Sequence, residues 1–157
     1  MFSGRCLVAV LLICALAERS SVSGAQIAAG AKQLSYNAGG IPMQLLGRFR
    51  GVLPCADCPG IDTELSLFAE SPNKLLHTRY VLKRTYRDRG KTATEVGTWE
   101  LLRGTPVDPN ATIYQLKPRD GGPPTNFLRV NDNEILQLDS GRRRIDSQLN
   151  FSLKKIN

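Results

Sequence analysis

The sequence is poor in the residues that most often build catalytic and metal centres. Its 157 residues include one histidine, four cysteines, two methionines and one tryptophan, and aromatic residues make up 6% of the chain. A single histidine, His77, offers little for a structural zinc site and no evident pairing with a nucleophilic serine. Because no set of catalytic residues is visible, we expect a binding protein and not an enzyme.

The sequence also lacks an apolar run long enough to cross a bilayer, which takes about 20 residues. The run at residues 6–17 is shorter, follows Arg5 and precedes a polar segment rich in small residues. This order is typical of a secretory signal peptide, and Ser23–Ala25 fits the small-residue rule for cleavage. We therefore predict a cleaved signal peptide over residues 1–25 and export of the remainder.

Two cysteines, Cys6 and Cys14, belong to this leader. Cys6 follows Arg5, and Cys14 follows the bulky Ile13. Neither has the small preceding residue that a lipid-attachment cysteine needs. We therefore expect a soluble exported protein and not a lipid-anchored one.

The exported part, residues 26–157, is basic and has the length of one domain. It keeps 19 of the 21 Lys and Arg and 13 of the 14 Asp and Glu, because Arg5, Arg19 and Glu18 leave with the signal peptide. The net charge of +6 suits an anionic envelope surface, although a solvated basic surface explains the same count. The run Arg142–Arg144 is interpreted as a solvated turn. No DNA- or RNA-binding motif is present, so we predict no nucleic-acid partner.

Apolar and polar residues alternate along most of the chain after residue 42, which is typical of β-strands. The alternating runs are residues 46–53, 61–69, 75–83, 92–102, 111–117, 127–130, 134–138 and 149–155. About eight strands separated by turn residues favour a small antiparallel up-and-down β-barrel, since closure removes the exposed edges of an open sheet. We predict this all-β domain over residues 44–157, a linker or N-terminal arm over 26–43, and at most one short helix, within 142–149.

The interior of such a barrel is just wide enough for side chains or one small ligand. Four aromatic residues fall in its predicted strands, namely Tyr80, Trp99, Tyr114 and Phe151. They either fill the interior or line a cavity. The second alternative makes the protein a carrier of a small apolar ligand, and both alternatives stay open.

Cys55 and Cys58 are the cysteines outside the leader, and they lie between the first two predicted strands. Pro54 and Pro59 restrict the backbone on either side, and Gly60 permits a tight exit. Oxidation to a disulfide is the default outside the cytosol, whereas two thiolates suit Cu(I). We therefore predict either a disulfide or a Cu(I) site at Cys55 and Cys58.

Two other residues could supply soft metal ligands, and the cysteine pair could also catalyse thiol–disulfide exchange. His77 falls on an outer strand face and Met43 in core or linker, so neither is expected to join the cysteines. Thiol–disulfide catalysis is a third alternative. It is disfavoured because the motif is not at a helix N-terminus and because Asp57 opposes thiolate formation.

The residues around the cysteines resemble a known family. Residues 49–65, FRGVLPCADCPGIDTEL, are similar to the hallmark of the NlpE N-terminal domain. Residues 94–101, TEVGTWEL, resemble the family's E-x-G-x-W strand, and the later predicted strands match as well. The resemblance extends over residues 46–155, nearly the whole exported part.

This resemblance implies a lipocalin-like barrel that takes part in copper tolerance or in signalling envelope stress to a sensor kinase. It also implies that Cys55 and Cys58 are the copper or redox site. Two departures from the family pattern matter: neither leader cysteine is a convincing lipid-attachment site, and we expect no counterpart of the second, OB-like domain of some members. We therefore expect a periplasmic sensing module, with copper ion and an envelope-stress sensor protein as its candidate partners, and we do not expect an outer-membrane lipoprotein.

Overall fold

A computed structural model describes residues 36–38 and 40–156. The predicted signal peptide and the first part of the arm lie outside these residues. The described chain forms nine strands: β1 (Tyr36–Ala38), β2 (Ile41–Leu53), β3 (Ile61–Ser71), β4 (Lys74–Tyr86), β5 (Thr92–Arg103), β6 (Thr112–Pro118), β7 (Thr125–Asn131), β8 (Glu134–Leu138) and β9 (Ser152–Ile156). No helix of these residues is long and apolar enough to span a membrane.

Each strand pairs antiparallel with the next, and β9 also pairs with β2. Strands β2 to β9 therefore close into an eight-stranded up-and-down barrel. Strand β1 pairs antiparallel with the first residues of β2. Closure is possible because β2 is long: residues 44–53 pair with β3 while residues 48–50 also pair with β9. The predicted all-β barrel is confirmed.

The core lies inside the barrel, where alternate residues of each strand point. Its buried residues are Phe49, Leu53, Leu65, Leu67, Ala69, Tyr80, Leu82, Trp99, Leu116, Phe127, Ile135 and Leu153. The period-two pattern of the sequence thus separates core from surface on most strands.

The connections between strands lie at two ends of the barrel. The end that we call the cysteine end carries residues 54–60, 87–91, 119–124 and 139–151, which join β2–β3, β4–β5, β6–β7 and β8–β9. The opposite end, the distal end, carries residues 72–73, 104–111 and 132–133. The two cysteines and the single histidine are therefore at opposite ends.

Tyr80 and its partners fill the interior from mid-barrel toward the cysteine end. Its hydroxyl donates to Glu95 Oε1 at 2.7 Å, and Arg84 Nη1 donates to Glu95 Oε2 at 3.0 Å. Gly97, which pairs with Tyr80, makes this possible: a Cβ there would lie 2.7 Å from Tyr80 Cε1 and 2.0 Å from the Lys117 carbonyl oxygen. Burial, and then the bond to Glu95, raise the pKa of Tyr80, so its hydroxyl remains a hydrogen-bond donor.

Trp99, which lies on β5 like Gly97, is anchored to the neighbouring part of the barrel by two hydrogen bonds, and its indole N–H has the partner that a buried tryptophan usually finds. Its Nε1 donates to the Phe68 carbonyl oxygen at 2.9 Å, and its backbone N–H donates to the Thr78 hydroxyl at 3.1 Å. Its ring meets the edge of Tyr114, with centroids 5.7 Å apart. The E-x-G-x-W residues Glu95, Gly97 and Trp99 are thus packing elements of the barrel.

A second, smaller apolar layer lies on the outside of β6, β7 and β8. Ile113 is 0% exposed and Leu138 is 4% exposed, although both are on the face opposite the inward-pointing Leu116 and Phe127. The connections 104–111 and 139–151 fold over this face, and Arg144 forms an isolated bridge with Leu138. The barrel is therefore two layers thick on this side.

Several details of the predicted strands are wrong. Strand β2 begins at Ile41, and β9 begins only at Ser152, so Leu149 is 62% exposed and outside the sheet. On β8, Ile135 faces the core, because it pairs with Arg129 on the same face of the sheet as Phe127, whereas Leu136 and Leu138 lie on the outer face.

Residues 142–149, for which the sequence allowed one short helix, contain none. Asp139 explains the difference, since its carboxylate accepts the Arg143 backbone N–H at 2.7 Å and its own N–H donates to the Arg143 carbonyl at 3.0 Å. These bonds close a tight turn where a helix would have to begin.

Candidate functional site

Cys55 and Cys58 occupy the β2–β3 connection at the cysteine end. Their sulfurs are 2.13 Å apart and their Cα atoms 5.3 Å apart, so the two residues form a disulfide. Both are half-buried, while Ala56 and Asp57 between them are exposed. The sulfurs therefore lie at the surface, within reach of a small reactant.

Gly60 determines how the chain leaves this loop. Its φ of +142° suits glycine, and a Cβ at this position would lie 2.7 Å from Val52 Cγ1. Its carbonyl oxygen accepts the Arg87 backbone N–H at 3.2 Å and lies 3.5 Å from Cys58 Sγ. The glycine thus lets the loop pack against both β2 and the β4–β5 connection.

A carboxylate accompanies the two sulfurs. Asp57 Oδ1 lies 3.4 Å from Cys55 Sγ, and the side-chain atoms of Cys55, Asp57 and Cys58 that can hold a metal all lie within 4.8 Å of one another. Arg89 Nη2 approaches Asp57 Oδ2 at 3.4 Å, at the exposed surface. The carboxylate disfavours a thiolate beside it, and the guanidinium offsets part of this effect.

The β4–β5 connection supports the loop from one side. Arg87 donates two hydrogen bonds to Asp62, at 3.0 and 2.9 Å, and this pairing holds the pKa of Asp62 below its usual range. Arg89 Nε contacts Asp88 at 2.6 Å and lowers the pKa of Asp88 in the same way. The sequence pattern predicts only a turn for this connection, and the register of Tyr86 opposite Ile61 places it beside the cysteines.

The other two soft donors are far from the cysteines. Met43 and His77 flank Ala69 in the sheet, since Gln44 and Thr78 both pair with it, and His77 Nδ1 lies 3.2 Å from Glu70 Oε2. Ala69 comes eight residues after Ile61 on β3, a separation of roughly 26 Å at about 3.3 Å per residue. Neither donor can join Cys55 and Cys58 in one site.

The interior of the barrel holds a cavity of about 340 Å³ toward the distal end. Phe49, Trp99 and Tyr114 line it, together with the charged Arg129 and Lys155. Burial raises the pKa of the Tyr114 hydroxyl. Of the four aromatic residues predicted to face inward, Trp99 and Tyr114 line this cavity, whereas Tyr80 and Phe151 do not.

Residues 49–148 match the family model of the NlpE N-terminal domain. The chain belongs to the NlpE N-terminal domain family. Lipoprotein NlpE of Escherichia coli (strain K12) is 31% identical to it over 107 residues, which are 68% of this chain and 39% of that protein. This NlpE-type chain therefore spans about two fifths of the length of that curated relative.

Two solved structures are similar to this NlpE-type chain. The crystal structure of the Cpx pathway activator NlpE from Escherichia coli has 28% identity and a TM-score of 0.45, over 67% of this chain and 48% of that one. A protein described as a lipoprotein from Shewanella oneidensis has 28% identity and a TM-score of 0.47, over 69% and 86%. At these TM-scores the match is partial, and the fold is established by strand pairing.

Proposed function

We propose that this NlpE-type domain is an exported, periplasmic sensing module whose Cys55–Cys58 loop is a redox-controlled site for Cu(I). The observation that carries the proposal is the convergence of two sulfurs and the Asp57 carboxylate within 4.8 Å on a surface loop. Membership of the NlpE family adds the setting, since the Escherichia coli relative is a lipoprotein and a Cpx pathway activator. By the same relation we propose an envelope-stress sensor protein as its partner.

The chemistry requires reduction before metal binding. A thiol reductant that supplies two electrons and two protons breaks the S–S bond of Cys55 and Cys58 and leaves two thiols. Cu(I) accepts two thiolate ligands, and its binding displaces the two thiol protons. The disulfide offers no thiolate, so metal affinity reports the redox state of the loop.

Anaerobic titration of Cu(I) against a chromogenic chelator tests this proposal. The reduced protein should bind one Cu(I), whereas the oxidised protein and the Cys55→Ser/Cys58→Ser variant should bind none. His77→Ala is the matched control, and it should bind like the wild type because His77 is at the distal end. Equal Cu(I) binding by the double serine variant and the reduced wild type would show that the metal site is not in this loop.

We further propose that the loop binds and signals without catalysing thiol exchange. It lies between two strands, so no helix dipole lowers the pKa of either thiol, and Asp57 acts in the opposite direction. In an assay with a model disulfide substrate, the protein should show no turnover above the double serine variant. Sustained turnover that depends on both cysteines would contradict this.

The cavity inside the barrel favours a second candidate function, a carrier of a small apolar ligand. Its volume of about 340 Å³ is near the lower end of ligand pockets, and Phe49, Trp99 and Tyr114 line it. Trp99 is the single tryptophan of the chain, so its emission reports directly on this cavity. Saturating apolar ligands should shift that emission; an unchanged spectrum across a panel of chain lengths would count against a carrier.

A further inference from the structure

A separate pocket lies on the outside of the barrel, beside β6, β7 and β8. It has a volume of about 380 Å³ and lies between the connections 104–111 and 139–151. The residues that line it are Thr105, Pro106, Val107, Asp108, Ala111, Leu128, Leu138 and Arg142–Arg144. It is therefore an apolar hollow with guanidinium groups along one side, and it shares no residue with the cysteine loop or with the cavity inside the barrel.

The charged side chains that line this pocket are mostly positive. Arg143 is neutralised by Asp139, with Nε and Oδ2 3.0 Å apart. Arg142 and Arg144 have no acidic partner among the residues that the structure describes. Asp108 is the one carboxylate among the lining residues, and its Oδ1 accepts the Asn110 backbone N–H at 2.8 Å. Two uncompensated guanidinium groups thus border an apolar floor.

The arginines are held on a closed turn. Asp139 accepts the Arg142 backbone N–H at 3.1 Å on its carbonyl and the Arg143 N–H at 2.7 Å on its carboxylate. Arg142 has a φ of 60°, a left-handed conformation that no other non-glycine residue of the described chain adopts. The turn therefore fixes the backbone from which the arginine side chains extend, which favours a defined binding site over a loosely solvated loop.

We propose that this outer pocket binds an anionic single-chain amphiphile, of which fatty acids are the simplest example. The planar guanidinium groups of Arg142 and Arg144 suit a carboxylate through paired hydrogen bonds. Leu128 and Leu138 supply the apolar contact for the alkyl chain. The volume, close to the lower end of the range of about 300–1,000 Å³ for ligand pockets, suits one short chain better than a two-chain lipid.

Calorimetric titration of the protein with octanoate, decanoate and dodecanoate below their micelle concentrations tests the proposal. Affinity should rise about threefold to fourfold per added methylene as the chain is buried. Decyltrimethylammonium, which has an alkyl chain of similar length to those of the acids but a positive head group, should not bind at the same concentrations. Equal affinity for the cationic and anionic amphiphiles, or no binding heat with any of the three acids, would overturn the proposal.

Paired variants locate the site. Arg142→Ala/Arg144→Ala should weaken decanoate binding by at least about tenfold, because two charge-assisted contacts are lost. The control Arg50→Ala/Arg119→Ala removes the same charge from exposed positions elsewhere and should bind like the wild type.

A second pair, Arg129→Ala/Lys155→Ala, changes the cavity inside the barrel and should also leave decanoate binding intact. Loss of binding in that pair together with retention in Arg142→Ala/Arg144→Ala would place the ligand inside the barrel and refute the outer site. Leu128→Asn, checked for folding by circular dichroism, should lower affinity for the long acids more than for octanoate. Unchanged chain-length dependence in a folded Leu128→Asn protein would refute the apolar floor.

Discussion

The two ends of the barrel use the same alternating strands for different purposes. Toward the cysteine end, Tyr80, Glu95 and Arg84 fill the interior, and the disulfide sulfurs lie outside it on a loop. Toward the distal end, Trp99 and Tyr114 leave a cavity of about 340 Å³ inside. The difference shows that the strand number alone does not determine whether the interior of such a barrel is filled. A few large inward-pointing side chains determine it separately at each end.

The largest predicted effect is a loss of stability from a substitution at the filled end of the barrel. In Gly97→Ala the added Cβ would lie 2.0 Å from the Lys117 carbonyl oxygen and 2.7 Å from the Tyr80 ring, so backbone must move. We expect the free energy of unfolding in urea to fall by about 3 kcal/mol or more. Gly122→Ala, whose Cβ would meet only side chains, should stay within about 0.5 kcal/mol of the wild type. Equal stability of the two variants would show that Tyr80 does not depend on this glycine.

A smaller effect is expected outside the barrel. Cys55→Ser/Cys58→Ser opens a very small covalent ring, and chain-entropy arguments assign such a ring about 2 kcal/mol of stability. Trp99 fluorescence and far-ultraviolet circular dichroism of the native state should not change, because neither sulfur belongs to the core. A double serine variant that loses native dichroism would mean that the loop is needed for the barrel to close.

A pair of tyrosine variants sharpens the comparison between the ends. Tyr80→Phe removes the 2.7 Å hydrogen bond to Glu95, and we expect it to cost about 1 kcal/mol, since Glu95 keeps Arg84 as a partner. Tyr114→Phe should cost less, because the Tyr114 hydroxyl has no hydrogen-bond partner among the described residues. Urea unfolding of both variants measures the difference. A larger cost for Tyr114→Phe would reverse the assignment of filled and hollow ends.

The smallest expected effect is a difference in acid sensitivity. Hydrogen bonds from Lys74 and then His77 lower the pKa of Glu70 at the distal end, and Arg87 lowers the pKa of Asp62 at the cysteine end. A lowered pKa stabilises the folded state above the unfolded-state value, and this contribution is lost as pH falls toward the folded-state pKa. It should therefore begin to disappear below pH 4.5 for Glu70 and below pH 3.8 for Asp62.

Urea midpoints of Glu70→Gln and Asp62→Asn across this pH range test the order. Glu70→Gln should reduce the loss of stability that begins just below pH 4.5, and Asp62→Asn should reduce the later loss. Identical pH profiles for the wild type and both variants would show that neither ion pair contributes to stability.

Much of the architecture is predictable because it depends on local pattern. Alternation of apolar and polar residues identifies the strands, and the turn residues between them set their antiparallel order. The position of Cys55 and Cys58 in a β2–β3 connection follows from the same pattern, as does the family resemblance of the segment around them. The prediction failed where pattern is weak: β9 begins only at Ser152 and not at Leu149, and Asp139 closes a turn in the segment where the sequence allowed a short helix.

The residues that surround the candidate sites could not be predicted from the sequence. Arg87 and Arg89 are 32 and 31 residues from Cys55 and Cys58 in sequence, and only the β3–β4 register brings them to the loop. Likewise, Ile113 and Leu138 are buried on an outer face because two connections fold over it. The alternation of apolar and polar residues within a strand does not predict this burial, since it depends on the path of the connections that follow the strands.

Strand identity and the placement of Cys55 and Cys58 together on one connection are properties of short segments, and short segments carry enough information to specify them. Closure of β2 with β9, the division of the interior into a filled and a hollow part, and the meeting of the arginine turn with the 104–111 connection are properties of the assembled sheet. They depend on register and on side-chain volume summed around the barrel. Those quantities exist only once all eight strands are in place.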